Sequence, residues 1–540
     1  MEQRSGSRAE NLATGTFFVL LFVAALAPIQ SYDAFWHLAA GEWIVAHRAL
    51  PKTDPFALAS DEVVWHNGEW LFEVLLHGIE RVSGLTGLSA FRALVVAALF
   101  TVILALVTRA AGIATALLIV AFAFAGADHR LGVRPELAGI VFAVVAVHLL
   151  LGPLTRGRLV LLTALTIVWM NMHPSALLAP AIAGLVAAGR WIAGERSRGE
   201  MTARAASVTL TFVALLLTPW GIAGVLSPLR LARVVGSGEF VNAEWLPSRV
   251  DQFPALYIAI AAGLALLLLR WRTSLTPRLL LFCLFSLLAV RFVRNQGYFF
   301  ALLPFLLAPA LPHIRRQTLA FAAAGLALVA IVAVPIGRGW GVGVDARRFP
   351  VSAVNQLQST GLRGNIYNPD QFGGYLIWSL WPGSGVLTDG RNELHLSFLS
   401  RFAQAREDSR LWSALFAEYD LTLAVEEYAA GTMQVIDGVT GAAIDIPPVQ
   451  AYFPRNRWAL IGFDDVAMVF ARRDAWDAQT LEGLEYRHLA PEVPGLRLAT
   501  VGDMEAARRE LARARAAGAG GMRLERMQSL LAAGESGQSR

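Results

Sequence analysis

Over the first 338 residues, long uncharged apolar runs alternate with short arginine-bearing stretches. A helix of about 17–22 apolar residues is long enough to cross a bilayer. About eleven stretches fit that description: 14–31, 87–108, 111–127, 135–154, 158–172, 174–191, 205–222, 253–270, 277–293, 296–312 and 318–336, with 158–191 open to other divisions. Between the first two runs, residues 33–86 follow a different pattern. FWHLAAGEWIVAHRAL has helical spacing without a long apolar run, which predicts a helix lying flat in the membrane interface. PKTDPF predicts a turn, and WHNGEWLFEVLLHGIERV the start of a second amphipathic helix. On helices, Asp33 and His37 share a face, as do His66 and Glu69, or Glu69 and Glu73. After Gly337 the polarity becomes mixed, with NPD, GG and DG turn signals and short β-rich runs such as VAMVFARR. Three regions follow: a transmembrane module over 1–338 with 33–86 as its first outer loop, a soluble α/β domain over 339–500, and a helical tail over 501–540.

Composition agrees. The chain is 55% hydrophobic and 16% charged, with a mean hydropathy of +0.50, which points to a mainly α, polytopic membrane protein. Its one cysteine, Cys283, rules out an intrachain disulfide. The net charge of +5 comes without a basic, aromatic-interleaved cluster, so no nucleic-acid partner is expected. No Walker motif or dinucleotide fingerprint occurs in its proper context, so no nucleotide cofactor is indicated. The first apolar run lacks a small-residue cleavage site before Asp33 and reads as a retained anchor.

Arginine placement sets the expected orientation. With the N-terminus cytoplasmic, the inside loops carry Arg109, then Arg156 and Arg158, then Arg190, Arg196, Arg198 and Arg204, then Arg270, Arg272 and Arg278, and last Arg315 and Arg316. Eleven spans then place the C-terminal domain outside. The unusual polar residues fall on that same outer side. They are Asp33, His37, Asp54, His66 and Glu69 in the first loop, Asp128, Arg130, Arg134 and Glu136 in ADHRLGVRPELAG, Asn171 and His173 in WMNMHPS, Glu244 with Trp245, and Arg291 and Arg294 in VRFVRNQGY. Ionisable groups at membrane depth are costly and tend to face a cavity or one another. Five loops contributing such groups to one side predict a shared outward cavity. In the C-terminal domain, NIYNPDQFGGYLIWSLWPGSGVLTDGRNELH reads as strand, Gly-Gly turn, short helix and a strand ending at Asp389-Gly390-Arg391. Asp389 and Arg391 either touch a polar ligand or form a structural ion pair that holds the domain to the membrane part.

An acid directly after the first span, a long outer loop with lateral helices and an outside soluble domain together resemble the GT-C superfamily of glycosyltransferases. More narrowly, DAFWHLAAGEWIVAH, TDPF, WHNGEWL and LTDGRNEL resemble a group of bacterial polytopic proteins that share these words. The resemblance implies a GT-C-like bundle in the bacterial cytoplasmic membrane and a polyprenyl-phosphate-linked sugar donor. The acceptor would be a glycan, lipid or protein. It makes Asp33 the catalytic acid of the first loop, with Glu69 as second choice; where many relatives carry two adjacent acids, this chain has Asp33-Ala34. The chemistry asks for the same parts independently. A carboxylate activates the acceptor hydroxyl, and cations meet the phosphate leaving group. Asp33 supplies the first, oriented by His37, with Trp36 as anchor or sugar platform. Arg130, Arg134, Arg291 and Arg294 supply the second. Asp54, His66, Asn171, His173 and Glu244 complete the expected substrate-binding set. Asp33, His37, His66 and Glu69 are also donors that suit a divalent metal. Two other functions use the same cavity: a non-catalytic carrier of lipid-linked glycans, and a glycan polymer ligase.

Overall fold

A computed structural model describes residues 2–60, 63–237, 243–314, 316–436 and 441–538, so Arg315 of the expected inside loops lies outside the described residues. The chain divides into two compact units. One comprises Met1–Ser31, Ala40–Leu50 and His66–Gly343, and the other Tyr32–Ala39, Pro51–Trp65 and Val344–Arg540.

The first unit is helical. Its elements are α1 (Glu2–Ala25), the later part of α2 (Asp33–His47), α3 (Trp70–Ala111), α4 (Ile113–Ala127), α5 (Pro135–Leu151), α6 (Arg156–Met172), α7 (Leu178–Ile192), α8 (Arg198–Ala214), α9 (Gly221–Ser237), α10 (Pro254–Leu269), α11 (Thr276–Arg291), α12 (Gln296–Leu307) and α13 (Gln317–Arg338). Ten of the eleven apolar runs fall on one helix each. The exception, 205–222, is broken: α8 stops at Ala214 and α9 starts at Gly221, with Pro219 in the gap. The second amphipathic helix begins at Trp70, so His66 precedes it and does not share a helical face with Glu69. That helix runs into the next span across Gly84, whose φ of +64° is a conformation other residues rarely adopt.

Among the described residues, five helices are long and apolar enough to cross a membrane: Trp70–Ala111, Ile113–Arg130, Pro174–Ile192, Thr273–Arg291 and Gln317–Arg338. Only 17% of the most apolar stretch of the last is buried by protein. Ile258, Leu287, Phe321 and Ile336 are likewise exposed. Such a surface requires lipid around it, and the chain is a membrane protein. Inside the unit, Asp128 receives Arg92 from α3 at 3.2 Å and Arg338 from α13, an ionic tie among otherwise apolar helices.

The second unit has a four-stranded sheet in the order β1 (Asn365–Tyr367), β2 (Leu421–Glu427), β6 (Ala467–Arg472), β5 (Trp458–Phe463). β1 and β2 are parallel, and the other pairs are antiparallel with Ala424 opposite Phe470 and Leu460 opposite Phe470. β3 (Met433–Ile436) and β4 (Ala443–Ile446) pair separately. Val386 bridges Ile366 on one side and Ala57 of the first loop on the other, which widens the sheet edge. The short helices α14 (Val351–Thr360), α15 (Asp370–Leu380), α16 (Leu396–Glu407), α17 (Ser409–Glu418), α18 (Pro448–Tyr452) and α19 (Ala478–Leu484) lead to the tail helices α20 (Val501–Ala516) and α21 (Met522–Gln538). Ala507, Leu511, Leu524 and Met527 bury one face of the tail in the core of the unit.

Gly373 and Gly374 form no turn; both lie inside α15. Their role is close approach. A Cβ on Gly373 would stand 2.0 Å from the Thr388 carbonyl oxygen, and one on Gly374 would stand 2.9 Å from the Tyr32 carbonyl oxygen. Two bare positions let α15 lie against both the Asp389 loop and the start of α2.

Candidate functional site

Asp33 is the first residue of α2, where a carboxylate complements the helix dipole. It is half-buried. The Trp36 indole Nε1 donates to its Oδ1 at 3.5 Å. His37 is 1% exposed, and its ring lies against that of Trp36 with centroids 3.5 Å apart. Gly390 runs beside the carboxylate: a Cβ there would stand 3.0 Å from Asp33 Oδ1. The Asp-Gly-Arg loop therefore backs the acid in the same unit.

The next residue, Arg391, is fully buried between Asp54 (2.9 Å) and Asp389. Its guanidinium lies 4.6 Å from the Trp65 ring centroid, 5.4 Å from Phe56 and 5.6 Å from Trp36. Burial alone would push the Asp389 carboxyl up, but Arg391 outweighs it and holds the group well below the usual carboxylate range. Asp54 also accepts from the Phe56 N–H at 3.1 Å and the Ser60 hydroxyl at 2.5 Å. Its side chain has no exposed surface. This corrects its expected place in the binding set: it is a framework acid, spent on Arg391. Of the two open readings for Asp389 and Arg391, the geometry matches an ion pair.

The first unit gathers the other expected residues. Arg130, at the end of a short turn after α4, and Arg134, just before α5, meet two acids. Arg130 binds Glu136 through Nε and Nη2, and Glu244 through Nη1 at 2.9 Å and Nη2 at 3.2 Å. Arg134 Nη1 donates to the same Glu244 oxygen at 2.6 Å, and its Nε to Ser31 at 3.2 Å. Burial would raise the Glu244 carboxyl, yet Arg134 and Arg130 hold it well below its ordinary range. The charges of Arg294, Arg134 and Arg130 all bear on His173, which is buried with Nε2 3.8 Å from Glu69. Its Nδ1 accepts from the Ser175 backbone N–H at 3.1 Å and lies 2.6 Å from the Ser175 hydroxyl, to which Tyr298 donates at 2.7 Å. Arg294 stacks on Trp245 at 4.5 Å. Arg291 stands apart, exposed and over Phe292.

Asn171 donates to the Ile167 and Leu217 carbonyls and accepts from the Trp70 indole at 2.8 Å. Beside it a cleft of about 540 Å³ opens, walled by Trp70, Ile167, Asn171, Leu217, Thr218 and Pro219. Trp220, the residue after Pro219, donates to the Asn67 carbonyl and meets the His66 ring edge-on. Ser175, Tyr298 and Trp220 were not in the expected set. The HPS triplet after Asn171 was the one signal for Ser175; Tyr298 and Trp220 look like ordinary aromatic span residues in sequence. Among the described residues, no three His, Cys, Asp or Glu side chains converge as a metal ion requires.

No protein-family model matches the chain, and no curated protein matches it in sequence. Solved structures do match. The Archaeoglobus fulgidus oligosaccharyltransferase in its apo form is similar with a TM-score of 0.57 at 9% identity, over 81% of this chain and 74% of that one. The same enzyme tethered to an acceptor peptide containing the NVT sequon gives 0.53 at 10% identity, over 81% and 74%. Its complex with an inhibitory peptide and a dolichol-phosphate gives 0.50 at 10%, over 82% and 74%. This chain shares the overall fold of that oligosaccharyltransferase. At these identities the likeness is one of fold, and residue roles must come from the chain's own geometry.

Proposed function

We propose that this protein is a membrane glycosyltransferase that moves a sugar from a polyprenyl-phosphate-linked donor to an acceptor hydroxyl, with Asp33 as the base. The acceptor is a glycan, lipid or protein. The observation that carries the reading is the contrast among the acids of the second unit. Asp54 and Asp389 are fully buried and bound to Arg391, whereas Asp33 is half-exposed at a helix start. In the reaction, Asp33 takes the proton of the acceptor hydroxyl as its oxygen bonds to C1. The bond from C1 to the phosphate oxygen breaks, and the phosphate leaves as an anion. Trp36 holds the carboxylate by its indole hydrogen bond. Arg130, Arg134 and Arg294 are the cations for phosphate, and the apolar walls of the cleft beside Trp70 suit an isoprenoid chain. The arrangement in the cell would be a bacterial cytoplasmic membrane crossed eleven times, with the N-terminus inside.

The test is product formation by Asp33→Asn in membranes holding equal amounts of folded protein. Loss of general-base help is worth on the order of 10²–10⁴ in rate, while binding of the lipid phosphate should persist. Wild-type turnover by this variant would make Asp33 a helix cap and leave Glu69, beside His173, as the next acid to substitute.

A further inference from the structure

Arg130 and Arg134 are met by two acids of different kinds. Glu136 opens the helix that follows Arg134, and its side chain is 4% exposed. Glu244 comes from a short turn more than a hundred residues later, with its side chain 33% exposed. One Glu244 oxygen, Oε1, accepts from Nη1 of both arginines, at 2.9 Å and 2.6 Å. An oxygen held between two guanidinium groups is the position a phosphate oxygen takes in an arginine clamp.

We propose that this is a phosphate-ester site which Glu244 fills while no substrate is bound and vacates when the phosphate arrives. The proposal rests on the glycosyl-transfer reading of these arginines and adds how the site is kept and emptied. Geometry decides between addition and exchange. Oε1 of Glu244 already occupies the position between the two Nη1 atoms, at 2.9 Å and 2.6 Å, so a phosphate oxygen takes that position only if Glu244 leaves it. Glu136 is poorly placed to leave, because it is buried and its own helix start holds it. Glu244 has an exposed flank and a path to water. In the empty state it also keeps the two cations from repelling one another and so holds the clamp in its binding geometry. After transfer the released lipid phosphate monoester carries up to two charges, so return of Glu244 would help to expel it.

The experiment uses the full chain purified in detergent, titrated by calorimetry with farnesyl phosphate and, separately, with inorganic phosphate. The variants are Glu244→Gln, Glu244→Ala, Glu136→Gln and Arg134→Gln. Removing the incumbent should tighten farnesyl phosphate binding about tenfold in both Glu244 variants, Glu136→Gln should not tighten it, and Arg134→Gln should abolish it. If inorganic phosphate follows the same order, the site reads the phosphate alone; if only farnesyl phosphate does, the prenyl chain is part of recognition. Either pattern supports exchange. Binding that is unchanged or weaker in folded Glu244→Gln and Glu244→Ala, with Arg134→Gln still losing it, would overturn the exchange while leaving the phosphate reading intact. No binding by the wild type or by either Glu244 variant would overturn both.

Discussion

Replacing Arg391 by methionine tests the buried framework beneath Asp33. The wild-type cation has no exposed side-chain surface, and neither do its partners Asp54 and Asp389. Removing one member of a buried ion pair costs about 3–5 kcal/mol, because the remaining charge is left without compensation. Here two carboxylates are left. Each keeps some support: Asp54 from the Phe56 N–H and Ser60, and Asp389 from the backbone N–H of residue 391 at 2.8 Å. A loss of about 4 kcal/mol is therefore expected. In a unit of roughly 220 residues, each kcal/mol moves Tm by about 2–4 °C, so the shift should be about 8–16 °C.

The pH dependence has a definite sign. A carboxyl held low in the folded state contributes stability above its unfolded pKa, and loses it only as pH falls through the lower folded value. Wild type therefore keeps this contribution under mildly acidic conditions. In Arg391→Met, burial acts on Asp389 without its counterion, so the group takes a proton earlier and the deficit against wild type shrinks from pH 7.5 to pH 5. The triple variant Asp54→Asn, Asp389→Asn, Arg391→Met carries no buried charge at these positions and should recover most of the loss. The assay is thermal unfolding of the full chain in detergent, with hydrogen exchange on peptides covering residues 386–396. A Tm within about 2 °C of wild type for the single variant, or a triple variant no better than the single, would refute the reasoning.

Gly373→Ala should destabilise by more than about 3 kcal/mol, since its Cβ would collide with backbone at 2.0 Å and with Asp389 Cα at 2.6 Å; Gly325→Ala, with nothing within 4 Å, should be neutral or slightly stabilising by the same thermal measurement. Glu426 on β2 is pushed up to about 7 by burial, against the pull of Arg406. Its stability contribution is full below the unfolded pKa and is lost as pH rises through about 7. Glu426→Gln should therefore match wild type near pH 4 and exceed it by up to about 3 kcal/mol at pH 8, read from unfolding curves at both values. Reporter fusions after Arg204 and after Arg348 should report opposite sides of the membrane, and a shared side would remove the eleven-crossing arrangement.

What the sequence shows and what it hides follow from the range of the interactions. Span helices need little more than unbroken apolar character, so runs such as 135–154 and 318–336 mark α5 and α13 directly. The run 205–222 misled because hydropathy does not register that Pro219 ends a helix as readily as a charge does. Likewise Gly-Gly at 373–374 carries the usual signature of a turn, yet the same lack of a Cβ serves contact between elements, and only the packed structure distinguishes the two uses. Asp33 stands out in the sequence because it closely follows an apolar run. Its support does not: Asp54 reaches Arg391 across 337 positions, and Glu244 reaches Arg134 across 110. Local pattern therefore treated Asp33, Asp54 and Glu244 alike, as polar groups in loops near a membrane. Burial and partners separate them into an accessible acid, a framework acid and an acid resting on two arginines. That separation gives each a different expected response: Asp33→Asn changes turnover, a buried Asp54 charge without Arg391 changes stability, and Glu244→Gln changes phosphate affinity.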